Sequence, residues 1–264
     1  MPPVRAWDGR SYDRISGPME ALGREVLARL ELRGDEVVLD AGCGSGRITE
    51  ALIERLPRGR VIAVDASSSM VRAAEKRLER WTATAPERPP RGLREPARER
   101  PEVQVRLLDL LELELEEPLD AILSTATFHW IADHERLFRR LRAALHGGGR
   151  LVAQCGGEGN IDVLRAKANA VLARDRYAEH FRDWRAPWNY APAERTRERL
   201  LEAGFASADC WLAPAPRQPQ YPREFLEEIV LGPHVQQLPG HLREPFIDEC
   251  SRSWASPSSS TTCA

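Results

Sequence analysis

The sequence predicts an α/β protein, a doubly wound and mostly parallel sheet with helices on both faces and a helical cap toward the C-terminal side. Three observations predict it. Strand-length segments at 37–40, 60–65, 103–108, 120–124 and 150–155 alternate with segments of helical spacing. That alternation builds a parallel sheet, because parallel neighbours need a crossover that is usually a helix. Acids stand at or just past the ends of the first three strands, Asp40, Asp65 and Asp109. A glycine turn follows the first of them, at the position where open α/β sheets bind ligands. A chain of 264 residues holds one large domain, or one domain with a cap.

Taken in order, residues 1–33 form an N-terminal cap or lid segment. Within it, 17–33 reads as an amphipathic helix with Met19, Leu22, Val26, Leu27 and Leu30 on one side, stopped by Gly34. Residues 34–156 are the ligand-binding core. Val37, Val38 and Leu39 form a continuous apolar run, as a strand buried on both faces requires. Gly42, Gly44 and Gly46 then let the backbone turn without a Cβ in the way. Ile48, Leu52 and Leu56 share one face of the next helix. Residues 60–65 are the second strand, and Ser67, Ser68 and Ser69 are N-cap candidates for a helix through Val71, Ala74 and Leu78. Residues 81–101 carry five prolines among many Arg and Glu and read as a mobile insertion, with its mixed charges solvated rather than aimed at nucleic acid.

Residues 103–108 are the third strand. The alternation at 111–116 is either a short edge strand or a connecting turn. Residues 120–124 are the fourth strand, and 134–145 a helix carrying Leu137, Leu141 and Leu145 in register. Gly147, Gly148 and Gly149 end that helix, and 150–155 is the fifth strand. Beyond 156 the pattern changes to a substrate cap and the end of the sheet, 157–250. It holds helices at 160–173, 192–203 and 222–231, an aromatic irregular stretch at 181–191, and a strand at 206–213. Residues 251–264 are Ser/Thr-rich and read as a disordered tail.

Net charge is −2, so no global field draws the chain to nucleic acid. Cys43, Cys155, Cys210, Cys250 and Cys263 are scattered without a C-x-x-C pair, which argues against a disulfide framework or a zinc site and for a reducing cytoplasmic setting. No leader-like apolar region opens the chain, and no run approaches the ~20 residues that span a bilayer. A monomer or weak dimer, with no nucleic-acid or membrane partner, is expected.

The turn at 42–46 separates ligand classes. A dinucleotide fingerprint spaces its glycines G-x-G-x-x-G, whereas this one reads G-x-G-x-G with Arg47 where the last glycine would stand. A phosphate loop needs a Lys that is absent here. Asp40 before the turn repels a pyrophosphate and suits a ligand with an amino group. Asp65 can accept from both ribose hydroxyls, and Asp109 from an adenine amino group. Read blandly, each acid is a cap or loop residue; three in order beside a glycine turn favour the ligand reading.

Residues 37–46 resemble motif I of the class I S-adenosylmethionine-dependent methyltransferases. Residues 61–70, including Ala66 and Met70, resemble that family's ribose-binding strand and helix, and 107–110, ending in Leu110, its adenine-side loop. Residues 120–133 resemble motif IV, where substrate meets the methyl group. The Phe128-His129-Trp130 segment and the 7–14 stretch holding Tyr12 are similar to the trans-aconitate methyltransferase branch, with malonyl-carrier-protein methyltransferases as close relatives. The resemblance implies a Rossmann-like fold and S-adenosyl-L-methionine as cofactor. It places Asp40, Gly42, Cys43, Gly44, Gly46, Asp65, Ala66, Met70, Asp109, Leu110, Ser124 and Tyr12 at the cofactor, and His129 and Trp130 at the catalytic centre. The family's sheet ends in an antiparallel hairpin whose last strand lies between the fifth and sixth; after Cys250 no such strand is legible, so it is expected to be missing.

His129 is read either as a hydrogen-bonded core residue or as a site residue, serving as base or as orienting donor. Trp184, Trp188 and Tyr190 are the core of the cap, the roof of the substrate pocket, or both. The expected reaction is O-methylation of a carboxylate on a small acceptor such as a polycarboxylic acid. The alternatives are a carrier-bound acyl acceptor and a cofactor-binding protein without activity.

Overall fold

The computed structural model describes residues 17–82, 101–214, 220–252 and 261–263. Tyr12, the insertion at 83–100 and most of the Ser/Thr tail lie outside the described residues. Among the described residues seven strands form one sheet. They are β1 (Val37–Ala41), β2 (Arg60–Asp65), β3 (Glu102–Leu107), β4 (Leu119–Thr125), β5 (Leu145–Gly156), β6 (Leu212–Pro214) and β7 (Thr261–Cys263), in the order β3-β2-β1-β4-β5-β7-β6. The first five are parallel, and β7 pairs antiparallel with both β5 and β6. The order reverses at β1, so the crevice above β1 and β4 is the switch point where such sheets take ligands.

The parallel strands are apolar on both faces because helices cover both. On one side α1 (Gly17–Ala28) and Leu30 just beyond it, α2 (Arg47–Ile53) and α3 (Ser68–Leu78) bury Val26, Leu30, Leu52, Ile53 and Leu78 against Val38 and Val61. On the other, α4 (His134–Ala144) packs Leu137, Phe138 and Leu141 against Leu39, Ile62 and Ile122. A separate cluster belongs to the C-terminal layer. It joins α5 (Asp162–Leu172), α6 (Asp175–Ala178) and the helices at Pro222–Phe225, Gly232–Gln237 and Gly240–Ser251, with Leu164, Val171, Tyr177, Leu226 and Phe246 at its centre, while α7 (Ala193–Glu202) lies against α4 and sets Leu200 on the second cluster.

Several expectations need correction. The antiparallel strand expected to be missing is present as Thr261–Cys263, so the tail from 251 is not wholly without order. Three residues carry too little periodicity to be read, although Thr favours strands. The Gly147–Gly149 triplet does not end a helix. The chain turns into β5 at Leu145, directly after Ala144, and the glycines lie inside the strand beside a register shift opposite Leu119 and Ala121. A glycine in a strand commonly marks such an irregularity. The helix at 17–33 ends at Ala28, the strand at 206–213 shrinks to Leu212–Pro214, and 111–116 is a connecting turn opened by a 3₁₀ turn at Leu110–Glu112.

Candidate active site

The glycine turn is fixed from below by β2: the amides of Gly42 and Cys43 both donate to Val64 O at 2.9 Å. Gly42, Gly44 and Gly46 all have positive φ, +84°, +54° and +84°, which L side chains rarely adopt. Their surroundings differ. A Cβ on Gly42 would lie 2.2 Å from Thr127 Oγ1, whereas one on Gly44 meets nothing within 4 Å. Gly42 is thus a packing requirement, and Gly44 borders open space. Cys43 is buried, and burial raises its thiol well above the ordinary value, so it is inert.

Two carboxylates flank this turn. Asp65, at the end of β2, accepts from Gly44 N at 3.0 Å through Oδ2 and from Ser67 N at 2.8 Å through Oδ1. Burial nevertheless raises its pKa. Asp40 is deeper, 1% exposed. Its Oδ2 accepts from Thr49 Oγ1 at 2.6 Å, and its Oδ1 is buried without a partner. Burial, opposed by the Thr49 bond and reinforced by the charge of Asp65, pushes Asp40 up to about 6. A buried carboxylate with an orphaned oxygen is a site that a cationic ligand group would satisfy. The donor set therefore fits a ligand bearing an ammonium group beside the turn. Thr49 lies in a helix interior, so nothing in the local sequence marked it.

The remaining cofactor candidates lie at or after the carboxyl ends of β2, β3 and β4. Ala66 is half-buried after β2, and Met70 is buried on the inner face of α3. Asp109 turns one oxygen onto Leu111 N at 2.9 Å and so caps the turn that buries Leu110. Ser124 is fully buried, and its Oγ donates to Ala41 O at 2.7 Å, tying β4 to the end of β1.

Across the crevice, a 3₁₀ turn at Phe128–Trp130 follows β4. Ala126, with φ +55°, sets its entry, and Thr127 Oγ1 bonds Thr125 O at 2.9 Å. His134 Nε2 donates to Phe128 O at 2.9 Å from the start of α4, which holds the turn against the core. His129 is 9% exposed. Its Nδ1 accepts from Gly156 N at 3.2 Å, so the neutral ring carries its proton on Nε2. Burial, with the neighbouring His134 adding to it, lowers its pKa to about 3.

An aromatic wall rises from His129 into the C-terminal layer. Tyr190 stacks on it with ring centroids 5.5 Å apart, Trp188 stacks on Tyr190 at 6.3 Å, and Trp130 lies 6.0 Å from Trp188. Asn189 N donates to His129 O at 2.8 Å, pinning the two segments together. Trp184 and His234 back the wall, 4.8 Å apart. Gly156 makes the approach possible, since a Cβ there would sit 2.5 Å from Asn160 Nδ2 and 2.7 Å from Tyr190 Cε1. Gly156 and Asn160 escape a sequence reading because they act through rings dozens of residues away.

Among the described residues no group of three or more His, Cys, Asp or Glu could hold a metal, and no helix is long and apolar enough to cross a membrane. A family profile described as a methyltransferase domain matches residues 39–151, the strands and turns that build the crevice. A trans-aconitate 2-methyltransferase of Azoarcus sp. (strain BH72) is 31% identical over 148 residues, which is 56% of this chain and 50% of that protein. Another, from Acidovorax ebreus (strain TPSY), is 30% identical over 249 residues, 91% of this chain and 86% of that protein. The phosphoethanolamine N-methyltransferase 2 of Haemonchus contortus, solved with S-adenosyl-L-methionine, superposes with a TM-score of 0.57 at 17% identity, covering 97% of this chain and 55% of that one, a likeness of fold.

Proposed function

Because the chain belongs to the class I S-adenosylmethionine-dependent methyltransferases, with S-adenosylmethionine as its cofactor, we propose that it methylates a carboxylate oxygen of a small polycarboxylic acid. The observation that carries this reading is the hydrogen bond from Gly156 N to His129 Nδ1. It occupies the basic nitrogen. A ring in that state can donate from Nε2 to an acceptor oxygen but cannot remove a proton. A hydroxyl or amine acceptor needs a base; a carboxylate is already a nucleophile and needs only orientation. The names of the relatives, trans-aconitate 2-methyltransferases, support the same acceptor class.

The cofactor supplies an electrophilic methyl group on a sulfonium. In this reading the backbone of Gly42, Gly44 and Gly46 admits it, Asp40 Oδ1 takes its ammonium, Asp65 its ribose hydroxyls and the free oxygen of Asp109 its adenine amino group. Ala66, Met70 and Leu110 flank the nucleoside. Ser124 and Cys43 act one step removed, by packing the end of β1 and the turn. His129 Nε2 and Trp130 orient the acceptor, and the wall of Trp188 and Tyr190 keeps water from it.

The test is transfer from radiolabelled S-adenosylmethionine to trans-aconitate and other polycarboxylates between pH 5.5 and 9. The expected result is a methyl ester, with no imidazole titration in the rate. Turnover of hydroxyl or amine acceptors alone, with a rate titrating near pH ~6.5, would overturn the reading.

A further inference from the structure

The geometry points to Arg165 as the group that recognises a second carboxylate of the acceptor, one that is not methylated; this inference rests on the carboxylate reading above. Arg165 stands in the first turn of α5, with its guanidinium 5.9 Å over the Tyr190 ring. The same ring stacks on His129 at 5.5 Å and on Trp188 at 6.3 Å. Tyr190 therefore contacts both the residue proposed to face the reacting oxygen and a cation. The charge of Arg165 also bears on His234 at the back of the same aromatic wall.

The surroundings hold the guanidinium in place and pair it only at an exposed position. Asn160 hydrogen-bonds the Tyr190 hydroxyl, and both crowd the α-carbon of Gly156, so the ring beneath Arg165 is locked. Ile161, immediately before α5, has φ +53°, a conformation that a β-branched residue adopts only under constraint. That residue starts the helix, and its carbonyl receives the Arg165 amide at 2.8 Å. The side-chain partner of Arg165 is Asp162 at 3.0 Å, a pair with side chains 40% and 60% exposed. Such exposed pairs hold weakly. A carboxylate delivered by an acceptor, half-shielded by aromatic rings and met by a planar fork of donors, competes with Asp162 on favourable terms.

The test is tryptophan fluorescence of the full chain saturated with S-adenosylhomocysteine, titrated with trans-aconitate and with crotonate, a monocarboxylate. Arg165→Gln should weaken trans-aconitate roughly ten- to hundredfold and leave crotonate within about twofold. Arg165→Lys should recover part of the loss, since it keeps the charge but not the fork. Asp162→Asn removes the competitor and should tighten trans-aconitate about two- to threefold, a gain that a purely structural Arg165 does not produce. Calorimetry with S-adenosylhomocysteine should give one affinity for all four proteins, which certifies the fold. Equal weakening of both acids, or no weakening of trans-aconitate, overturns the assignment while leaving the carboxylate reading intact. Failure of the wild type to bind or esterify any carboxylate overturns that reading instead, and the inference with it.

Discussion

Replacing Asp40 with asparagine separates what the site needs for binding from what it costs in stability. The carboxyl is fully buried and its pKa is pushed up from 3.8 to about 6. Below pH 3.8 it is protonated whether the chain is folded or not, and makes no difference to stability. Between 3.8 and about 6 the unfolded chain releases the proton and the folded one retains it, so folding grows less favourable as pH rises. At about 1.4 kcal/mol per unit, the penalty reaches about 3 kcal/mol above pH 6 and stays there. Asparagine removes the titration but leaves a buried amide with incomplete partners, costing about 1 kcal/mol. Asp40→Asn should therefore be about 2 kcal/mol more stable than the wild type at pH 8 and close to it at pH 4, measured by urea unfolding without cofactor. Cofactor binding should move the other way, weakening by ~1.5–3 kcal/mol at pH 8 because an ammonium loses its counter-charge. Wild-type affinity should rise through pH 6 and then level off, and that of the variant should not. Parallel stability curves at all pH values, or a variant less stable at pH 8, would falsify the assignment of an uncompensated charge to Asp40.

Asp65→Ala should weaken S-adenosylmethionine binding by about 1.5–3 kcal/mol by calorimetry, and an unchanged affinity in a folded variant sinks the ribose assignment. Gly44→Ala should still fold, at a cost of about 1 kcal/mol for its φ of +54°, and lose most cofactor affinity, since the space beside its α-carbon is open to a ligand. Gly42→Ala should instead lower Tm by several degrees, because its Cβ meets Thr127 at 2.2 Å; the reverse pattern would exchange the roles of the two glycines. His129→Ala should slow turnover about tenfold, or ~1.4 kcal/mol, with an unchanged pH profile. A loss of 10²–10⁴-fold together with disappearance of a titration step means that it is a base.

The sheet was legible because strands buried on both faces are nearly continuous apolar runs, and β2 at Arg60–Asp65 runs between the residues that the pattern marks. The glycine turn was legible because three positive-φ positions admit little else. The misreadings share one cause, that tertiary pairing decided where local signals were neutral. Gly147–Gly149 looks like a helix stop and lies within β5, because β4 offers it a partner edge. Thr261–Cys263 is a strand only because β5 and β6 leave a gap between them. In the site, Asp40 and Asp65 were visible as strand-end acids. Thr49, Thr127 and Gly156 were not, since each acts through a contact that sequence spacing does not encode. The protonation state of His129 was open for the same reason: the nitrogen that settles it belongs to Gly156, on another strand.

The two halves of the crevice carry opposite electrostatic characters, and that contrast fits the proposed reaction. On one side stand Asp40 and Asp65, carboxylates whose burial makes their charge unfavourable until a cation arrives. On the other stand a neutral His129 offering Nε2–H, aromatic faces, and Arg165. In the proposed reaction the cationic cofactor meets the first half and a carboxylate acceptor the second. Transfer of a methyl group between them cancels a positive and a negative charge. Charge separation is costly where the dielectric is low, so the ground state gains less from such surroundings than the partly neutralised transition state. In the proposed reaction the wall of Tyr190, Trp188 and Trp130 lowers the local dielectric and excludes water. Opening it should therefore slow transfer more than it weakens binding. Trp188→Ala is expected to reduce kcat by more than it raises KM for a polycarboxylate, and a rise in KM alone would make the wall a binding surface with no part in the barrier.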